Sequence, residues 1–183
     1  MKLFIGINHP AHVHLFKNII HELTGKGYSI IVGARDKEVT LKLLEAYNLD
    51  YELISTLNST SNSLFEEALA RVRVTRKIFK TYKPDLAISM MEPTIPIASK
   101  LSRIPHIALT DTEHAKLANN LTLPFTEAVL TPSCFSLDLS KKQIRYNGYH
   151  ELAYLHPNNF TPNPAVLTEL GLTEDDPFII VRF

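Results

Sequence analysis

Three histidines stand in the first predicted turn of the chain. Residues 6–16 read GINHPAHVHLF, so His9, His12 and His14 follow directly after an apolar segment at residues 3–7. Histidine titrates near neutral pH and can therefore take a proton from a hydroxyl group. We predict that His9 or His14 serves as a general base.

Carboxylates and further histidines follow three later apolar segments. The segments ending near residues 91, 110 and 146 are followed by EPT, DTEH and NGYHE. A carboxylate beside a histidine orients the imidazole and raises its pKa, so we predict Asp111 as a catalytic partner of the first-turn histidines. The predicted substrate-binding residues are His12, Glu92, Thr94, Glu113, His114, Asn147, His150 and Glu151.

Structural alternatives remain open for these residues. A histidine in a turn can be a solvent-exposed polar residue, and Glu92 or Asp111 can cap the helix that follows. A metal site would need ligands that converge, such as two histidines four residues apart on one helix face. His9, His12 and His14 are separated by gaps of three and two residues. Because that spacing sends His12 and His14 to diverging sides of a helix, we predict no bound metal.

Common nucleotide-binding and nucleophile motifs are absent from the sequence. It contains no G-x-G-x-x-G, P-loop or G-x-S-x-G pattern. Gly6 stands alone in the first turn, so we do not expect a dinucleotide bound on a glycine-rich turn. Cys134 is the single cysteine, which excludes an internal disulfide and fits a reducing cytoplasm. No base is evident beside Cys134, and we interpret it as a packing residue.

Strand and helix patterns alternate along the chain. The alternation predicts a doubly wound, Rossmann-like parallel sheet of about seven strands. Ligands of such sheets lie beyond the carboxyl ends of the strands, near the point where strand order reverses. His9, Glu92 and Asp111 follow strands one, four and five, so we predict that they converge in one cavity. The predicted strands cover residues 3–7, 28–34, 51–54, 85–91, 106–110, 128–131 and 144–146, with a polar loop at residues 55–63.

The composition changes after residue 155. Residues 156–164 read HPNNFTPNP, and a short helical pattern and the apolar run FIIVRF follow. A lone strand has no partner in a finished sheet, so we expect a second domain to begin near Pro177. The predicted division is a Rossmann-like N-terminal domain at residues 1–155, followed by a linker and the first elements of a truncated C-terminal domain at 156–183.

Charge and hydrophobicity exclude several function classes. The chain has 19 Lys and Arg against 19 Asp and Glu, so no basic field is available for nucleic acid or an anionic membrane. No segment reaches the roughly 20 apolar residues of a membrane helix. The first apolar run is also too short for a signal peptide, and we expect a cytoplasmic protein.

Several longer runs carry a family resemblance. The runs HPAHVHLFKNIIHEL, LTDTEHAKLANNLTLPF and YNGYHELAYLHPNNFTP resemble the prokaryotic domain-of-unknown-function family three-five-four over essentially the whole chain. Its members look like glycosyltransferases of the two-Rossmann-domain B type. They are similar in outline to the N-acetylglucosamine transferase of peptidoglycan synthesis and to UDP-N-acetylglucosamine 2-epimerase. The resemblance implies a C-terminal domain that holds most nucleotide-sugar contacts and an N-terminal domain that binds the acceptor.

The expected function is therefore that of the N-terminal domain of a sugar-nucleotide-dependent glycosyltransferase in surface-polysaccharide synthesis. The alternatives are a nucleotide-sugar epimerase or hydrolase, and a non-catalytic carbohydrate- or nucleotide-binding domain. The expected partners are a nucleotide sugar, a carbohydrate acceptor and the chain's own C-terminal domain, with no other cofactor. Homo-oligomerisation stays open. We expect enzyme activity of the full-length protein and none of the 183 residues alone.

Overall fold

Seven strands and the helices between them form the described part of the chain. The computed structural model describes residues 1–55 and 64–181, and most of the polar loop predicted at residues 55–63 lies outside them. The strands are β1 Lys2–Ile7, β2 Ser29–Arg35, β3 Glu52–Ser55, β4 Leu86–Met90, β5 His106–Leu109, β6 Ala128–Pro132 and β7 Gln143–Tyr146. The helices are α1 Pro10–Gly25, α2 Thr40–Ala46, α3 Leu64–Tyr82, α4 Thr94–Ser102, α5 Lys116–Thr122, α6 Leu152–Leu155 and α7 Ala165–Glu169, with a 3₁₀ turn at Leu123–Phe125.

The strands form one sheet in the order β3-β2-β1-β4-β5-β6-β7. Every neighbouring pair is parallel. Strand order reverses at β1, whose two neighbours are β2 and β4, so the crevice between β1 and β4 is the switch point. The predicted doubly wound parallel fold is confirmed.

Helices cover both faces of the sheet. Alternate residues of β1 point to opposite sides, so Ile5 packs with α1 and α2 while Phe4 packs with α3 and α4. The rings of Phe4 and Phe79 meet edge to face with centroids 4.8 Å apart. Among the described helices, none is both long and apolar enough to span a bilayer.

Gly6, predicted to stand in the first turn, lies in β1 and serves helix packing. A Cβ atom at Gly6 would lie 2.1 Å from Cδ1 of Ile95, a buried residue of α4. Gly6 therefore lets α4 approach β1, and this close approach explains a glycine there without any phosphate.

Helix α2 begins at Thr40 without a side-chain cap and buries Thr40 and Leu44, while Val39 is exposed. Residues 178–181 form no strand, and residues 182–183 lie outside the described residues. Because no described strand pairs with this segment, its β-rich composition does not produce a strand; Ile179 is 89% exposed.

Candidate functional site

An aspartate and a histidine meet at the carboxyl edge of the sheet. Asp111 follows β5 and His150 follows β7, and both strands pair with β6. Nδ1 of His150 lies 3.0 Å from Oδ2 of Asp111, with the histidine side chain 7% exposed and the aspartate 39% exposed. The fold thus joins two loops that are far apart in sequence into one pair of a buried histidine and an exposed aspartate.

The pair has a defined proton arrangement. A carboxylate only accepts hydrogen bonds, so Nδ1 of His150 carries a proton, and in the neutral ring Nε2 holds the lone pair. Hydrogen bonding to His150 is the main cause that lowers the pKa of Asp111, with a smaller contribution from Thr112. The hydroxyl of Thr112 donates to Oδ1 of Asp111 at 3.2 Å. Nε2 of His150 is buried and has no hydrogen-bond partner among the described residues.

An aromatic ring supports the histidine. Tyr146, the last residue of β7, stacks on His150 with ring centroids 6.2 Å apart and planes at 19°. Burial, followed by the charges of Asp111 and Glu151, raises the pKa of Tyr146 to about 12. Tyr146 therefore remains a neutral phenol that fixes the plane of the imidazole.

The pair borders a small polar cavity of about 240 Å³. Two further carboxylates, Glu113 and Glu151, line it with Asp111 and His150. Glu113 accepts a hydrogen bond from the backbone N–H of Ser136 at 2.6 Å, and this bond lowers its pKa. The predicted substrate-binding residues Glu113, His150 and Glu151 thus lie together with the predicted catalytic Asp111.

His12 lies near this pair in a different protonation environment. Its Nδ1 accepts the backbone N–H of Asn8 at 3.3 Å, so the proton of the neutral ring is on Nε2. Burial, followed by the positive charges of His9 and Lys37, lowers the pKa of His12 to about 4, while Asp111 acts in the opposite direction. His12 is therefore a neutral hydrogen-bond donor at pH 7. Both side-chain amide atoms of Asn8 are buried without a partner among the described residues.

His9 and His14 have other partners. His9 is the N-cap of α1, with Nδ1 accepting the N–H of Ala11 at 3.2 Å, and its Nε2 lies 3.7 Å from Glu38. His14 lies between two tyrosine rings, with centroids 5.8 Å from Tyr47 and 5.7 Å from Tyr154. Burial and then Lys17 lower the pKa of His14. Neither histidine lines the cavity of Asp111.

Glu92 is engaged with its own helix. Its carboxylate accepts the backbone N–H groups of Thr94 and Ile95 and the hydroxyl of Thr94. Because both oxygens are used in this way, Glu92 turns toward the start of α4 and does not line the cavity of Asp111. The structure therefore does not bring His9, Glu92 and Asp111 together there, contrary to the predicted convergence. Asn147 and His114 are exposed.

Several site residues were missed from the sequence. Tyr146 and Tyr149 support or border His150, but aromatic residues beside a histidine are too common to single out. Asn8 stands beside the histidines of the first turn, and a single asparagine there forms no recognisable motif. Cys134, interpreted as a packing residue, is exposed and lines the cavity of Asp111. In the described ranges, no group of three His, Cys, Asp or Glu side chains is placed to hold a metal ion.

Comparisons with known proteins agree with this architecture. The sequence matches, over residues 1–183, the family described as Protein of unknown function (DUF354). A Methanocaldococcus jannaschii protein named Uncharacterized protein MJ0665 is 26% identical over 190 residues, which cover 100% of this chain and 56% of that protein.

Two solved structures share the fold at low sequence identity. Acinetobacter baumannii MurG has a TM-score of 0.67 at 15% identity, covering 81% of this chain and 46% of that one. UDP-GlcNAc 2-epimerase of Methanocaldococcus jannaschii, in complex with UDP-GlcNAc and UDP, has a TM-score of 0.63 at 14% identity, covering 79% of this chain and 46% of that one. The chain has one Rossmann-like sheet of the kind found in GT-B glycosyltransferase-like structures, as predicted, and spans about half the length of these proteins.

Proposed function

The chain belongs to the DUF354 family, and we propose that it is the acceptor-binding domain of a glycosyltransferase that uses a nucleotide sugar. The pair of Asp111 with the buried His150 supports this role most directly. A histidine oriented by a carboxylate, with its second nitrogen unpartnered, is suited to take a proton from a hydroxyl group. The likeness to a structure that holds UDP-GlcNAc supports a nucleotide sugar as the donor.

In the proposed reaction, His150 is the general base. Nε2 of His150 takes the proton of an acceptor hydroxyl, and the oxygen attacks the anomeric carbon of the donor sugar. The bond between that carbon and the diphosphate oxygen breaks, and its electron pair leaves with the nucleoside diphosphate. Asp111 is a positioning residue, because its negative charge stabilises the imidazolium that forms.

His12 and Asn8 are proposed to bind the acceptor. The Nε2–H group of neutral His12 donates a hydrogen bond, and the unpartnered amide of Asn8 both donates and accepts. Sugar hydroxyl groups offer both kinds of partner. Within this proposal, residues 1–155 form the acceptor side, and residues 156–183 lead into a C-terminal domain that holds most donor contacts. Surface-polysaccharide synthesis on the cytoplasmic side is the proposed context.

A nucleotide-sugar epimerase is the second candidate, because an epimerase also shares the fold. Incubation of the full-length protein with a panel of UDP-sugars, with and without carbohydrate acceptors, separates the two. Transfer requires both an acceptor and a donor. Epimerisation or hydrolysis changes the donor without an acceptor, and a binding domain leaves the donor intact. Product formation that does not depend on an acceptor would contradict the proposed transferase.

A further inference from the structure

One face of the second half of the sheet is apolar and only partly covered. In β4, β5 and β6, alternate side chains such as Ser89, Ala108 and Val129 are fully buried. The residues between them point to the opposite face, where Leu109 and Leu130 pair in register and are only partly buried. Strands of a parallel sheet are normally covered on both faces, so this face offers apolar surface for a ligand.

A large cavity lies against this face. It has a volume of about 690 Å³, and α1 supplies Leu15, Phe16 and Ile19 to one wall while Leu109 and Leu130 form another. This volume lies within the usual range of small-molecule binding sites. The polar lining residues of α1 are Asn18, His21 and Glu22. Asn18 is already engaged, since its side chain donates to the carbonyl of Ala153 at 2.7 Å.

His150 joins the large apolar cavity to the small polar one. His150 and Tyr149 line both cavities. His150, whose buried Nε2 has no partner among the described residues, is thus a residue of the boundary between an apolar volume and a cavity bordered by carboxylates. A ligand that satisfies Nε2 and fills both cavities must be polar at one end and apolar at the other.

We propose that the acceptor is an amphipathic glycoside, whose apolar aglycone occupies the large cavity while a sugar hydroxyl reaches His150. This inference rests on the proposed glycosyltransferase function. A bare sugar in the large cavity would leave the side chains of Ile19 and Leu130 partly in water, whereas an alkyl or aryl group removes that surface from water. Glu22, the carboxylate of the lining, is paired with Lys26 at 2.5 Å. The lining itself contains no Lys or Arg, which disfavours a phosphate group in this cavity.

The test compares two acceptors that differ only in the aglycone. The full-length protein is given its active donor with a methyl glycoside or with the octyl glycoside of the same sugar, below the concentration at which octyl glycosides form micelles. We expect a KM at least about tenfold lower for the octyl glycoside, because several methylene groups become buried. A phenyl glycoside distinguishes an aryl from an alkyl aglycone. Calorimetric binding of both glycosides gives a second measurement that does not require turnover.

Variants assign the preference to this cavity. Ile19→Ser shortens a half-exposed cavity side chain, and we expect it to raise the octyl KM several-fold while the methyl KM stays unchanged. Leu101→Ser, at an exposed position on α4, is the matched control and should change neither value.

Three results would overturn the inference. Equal KM and equal affinity for the two glycosides would contradict the proposed apolar aglycone site, without contradicting the proposed glycosyl transfer. An Ile19→Ser protein with a lower Tm and an unchanged preference would indicate that polypeptide fills the cavity. Donor turnover that needs no acceptor would instead contradict the underlying transferase.

Discussion

Four histidine side chains have four different roles in this domain because their surroundings differ. His150 is paired with Asp111 and keeps one nitrogen unpartnered among the described residues. Burial keeps His12 neutral, the ring of His9 caps a helix, and His14 lies between two tyrosines. The residue type alone therefore gives the range of roles that a histidine can have. The neighbours that it acquires on folding determine which of these roles it has.

Replacement of Asp111 should separate catalysis from stability. Asp111→Asn removes the charge that stabilises protonated His150 but keeps the size of the side chain. We expect at least about a 100-fold loss of kcat in the full-length protein, the range typical of lost general-base catalysis. The Tm should change little, because the aspartate is 39% exposed.

The matched control for Asp111→Asn is Asp50→Asn, at an exposed position before β3. It should leave both kcat and Tm unchanged. A large drop in Tm with full activity per folded molecule in Asp111→Asn would mean that the pair is structural and that His150 is not the base.

Acid should destabilise the domain through His12. Its pKa falls from 6.5 to about 4 on folding. Between pH 6.5 and pH 4, His12 therefore binds a proton in the unfolded chain but not in the folded chain. The free energy of unfolding therefore decreases as pH falls from 6.5 toward 4, and above pH 6.5 His12 has no effect. Urea unfolding at pH 7, 6 and 5 measures this slope.

His12→Asn should make that slope shallower. The slope should persist in part, because burial also lowers the pKa of His106 to about 3. NMR titration of the His12 ring in the native protein gives the direct check. A titration midpoint near 6.5 would contradict a buried, neutral His12 and its proposed role as a donor.

At the scale of elements, the contact of β1 with α4 depends on Gly6. Gly6→Ala would place Cβ 2.1 Å from Cδ1 of Ile95, and we expect the free energy of unfolding to fall by about 1–3 kcal/mol, as overpacked cores do. Ile95→Val removes the clashing atom, so the double variant should lose less stability than the sum of the single variants. Gly25→Ala, with open space around the added atom, is the control. Additive losses would contradict the clash.

The start of α4 depends on Glu92. Glu92→Ala removes the acceptor of three hydrogen bonds, and a loss of about 1–2 kcal/mol in the free energy of unfolding is expected from helix caps of this kind. Denaturant titration measures this loss, and Glu174→Ala at an exposed position serves as the control. A loss of activity with unchanged stability would instead indicate that Glu92 acts on substrate, as the sequence predicts.

Local patterns were sufficient for the elements but not for the site. Buried strands such as β4 follow from runs of apolar residues, and helix α1 follows from its apolar spacing and Pro10. The contact of Asp111 with His150 joins loops on two different strands, and no local spacing reveals which distant side chains meet. Residues 178–181 form no strand where one was predicted, because strand formation requires a partner that composition does not specify.

At the scale of the whole molecule, the domain should fold without being a complete enzyme. The chain spans 56% of a relative's length, and the proposed donor contacts belong to a C-terminal domain. We expect the 183-residue protein to unfold cooperatively and to leave nucleotide sugars intact, while the full-length protein converts them. Calorimetry and a donor assay on both proteins check this. Conversion at the full-length rate by the shorter protein would contradict the assignment of the donor contacts to a C-terminal domain.

The strand order also constrains how the domain is made. Strand β1 precedes the other described strands in the chain and lies inside the finished sheet, yet its second neighbour, β4, begins only at Leu86. At translation rates of about 5–20 residues per second, one edge of β1 waits roughly 4–16 s for its partner. During that interval an apolar strand with free backbone groups is open to wrong pairing with other chains. Nascent chains in which β4 has not yet been synthesised are therefore expected to bind a chaperone that shields extended apolar segments.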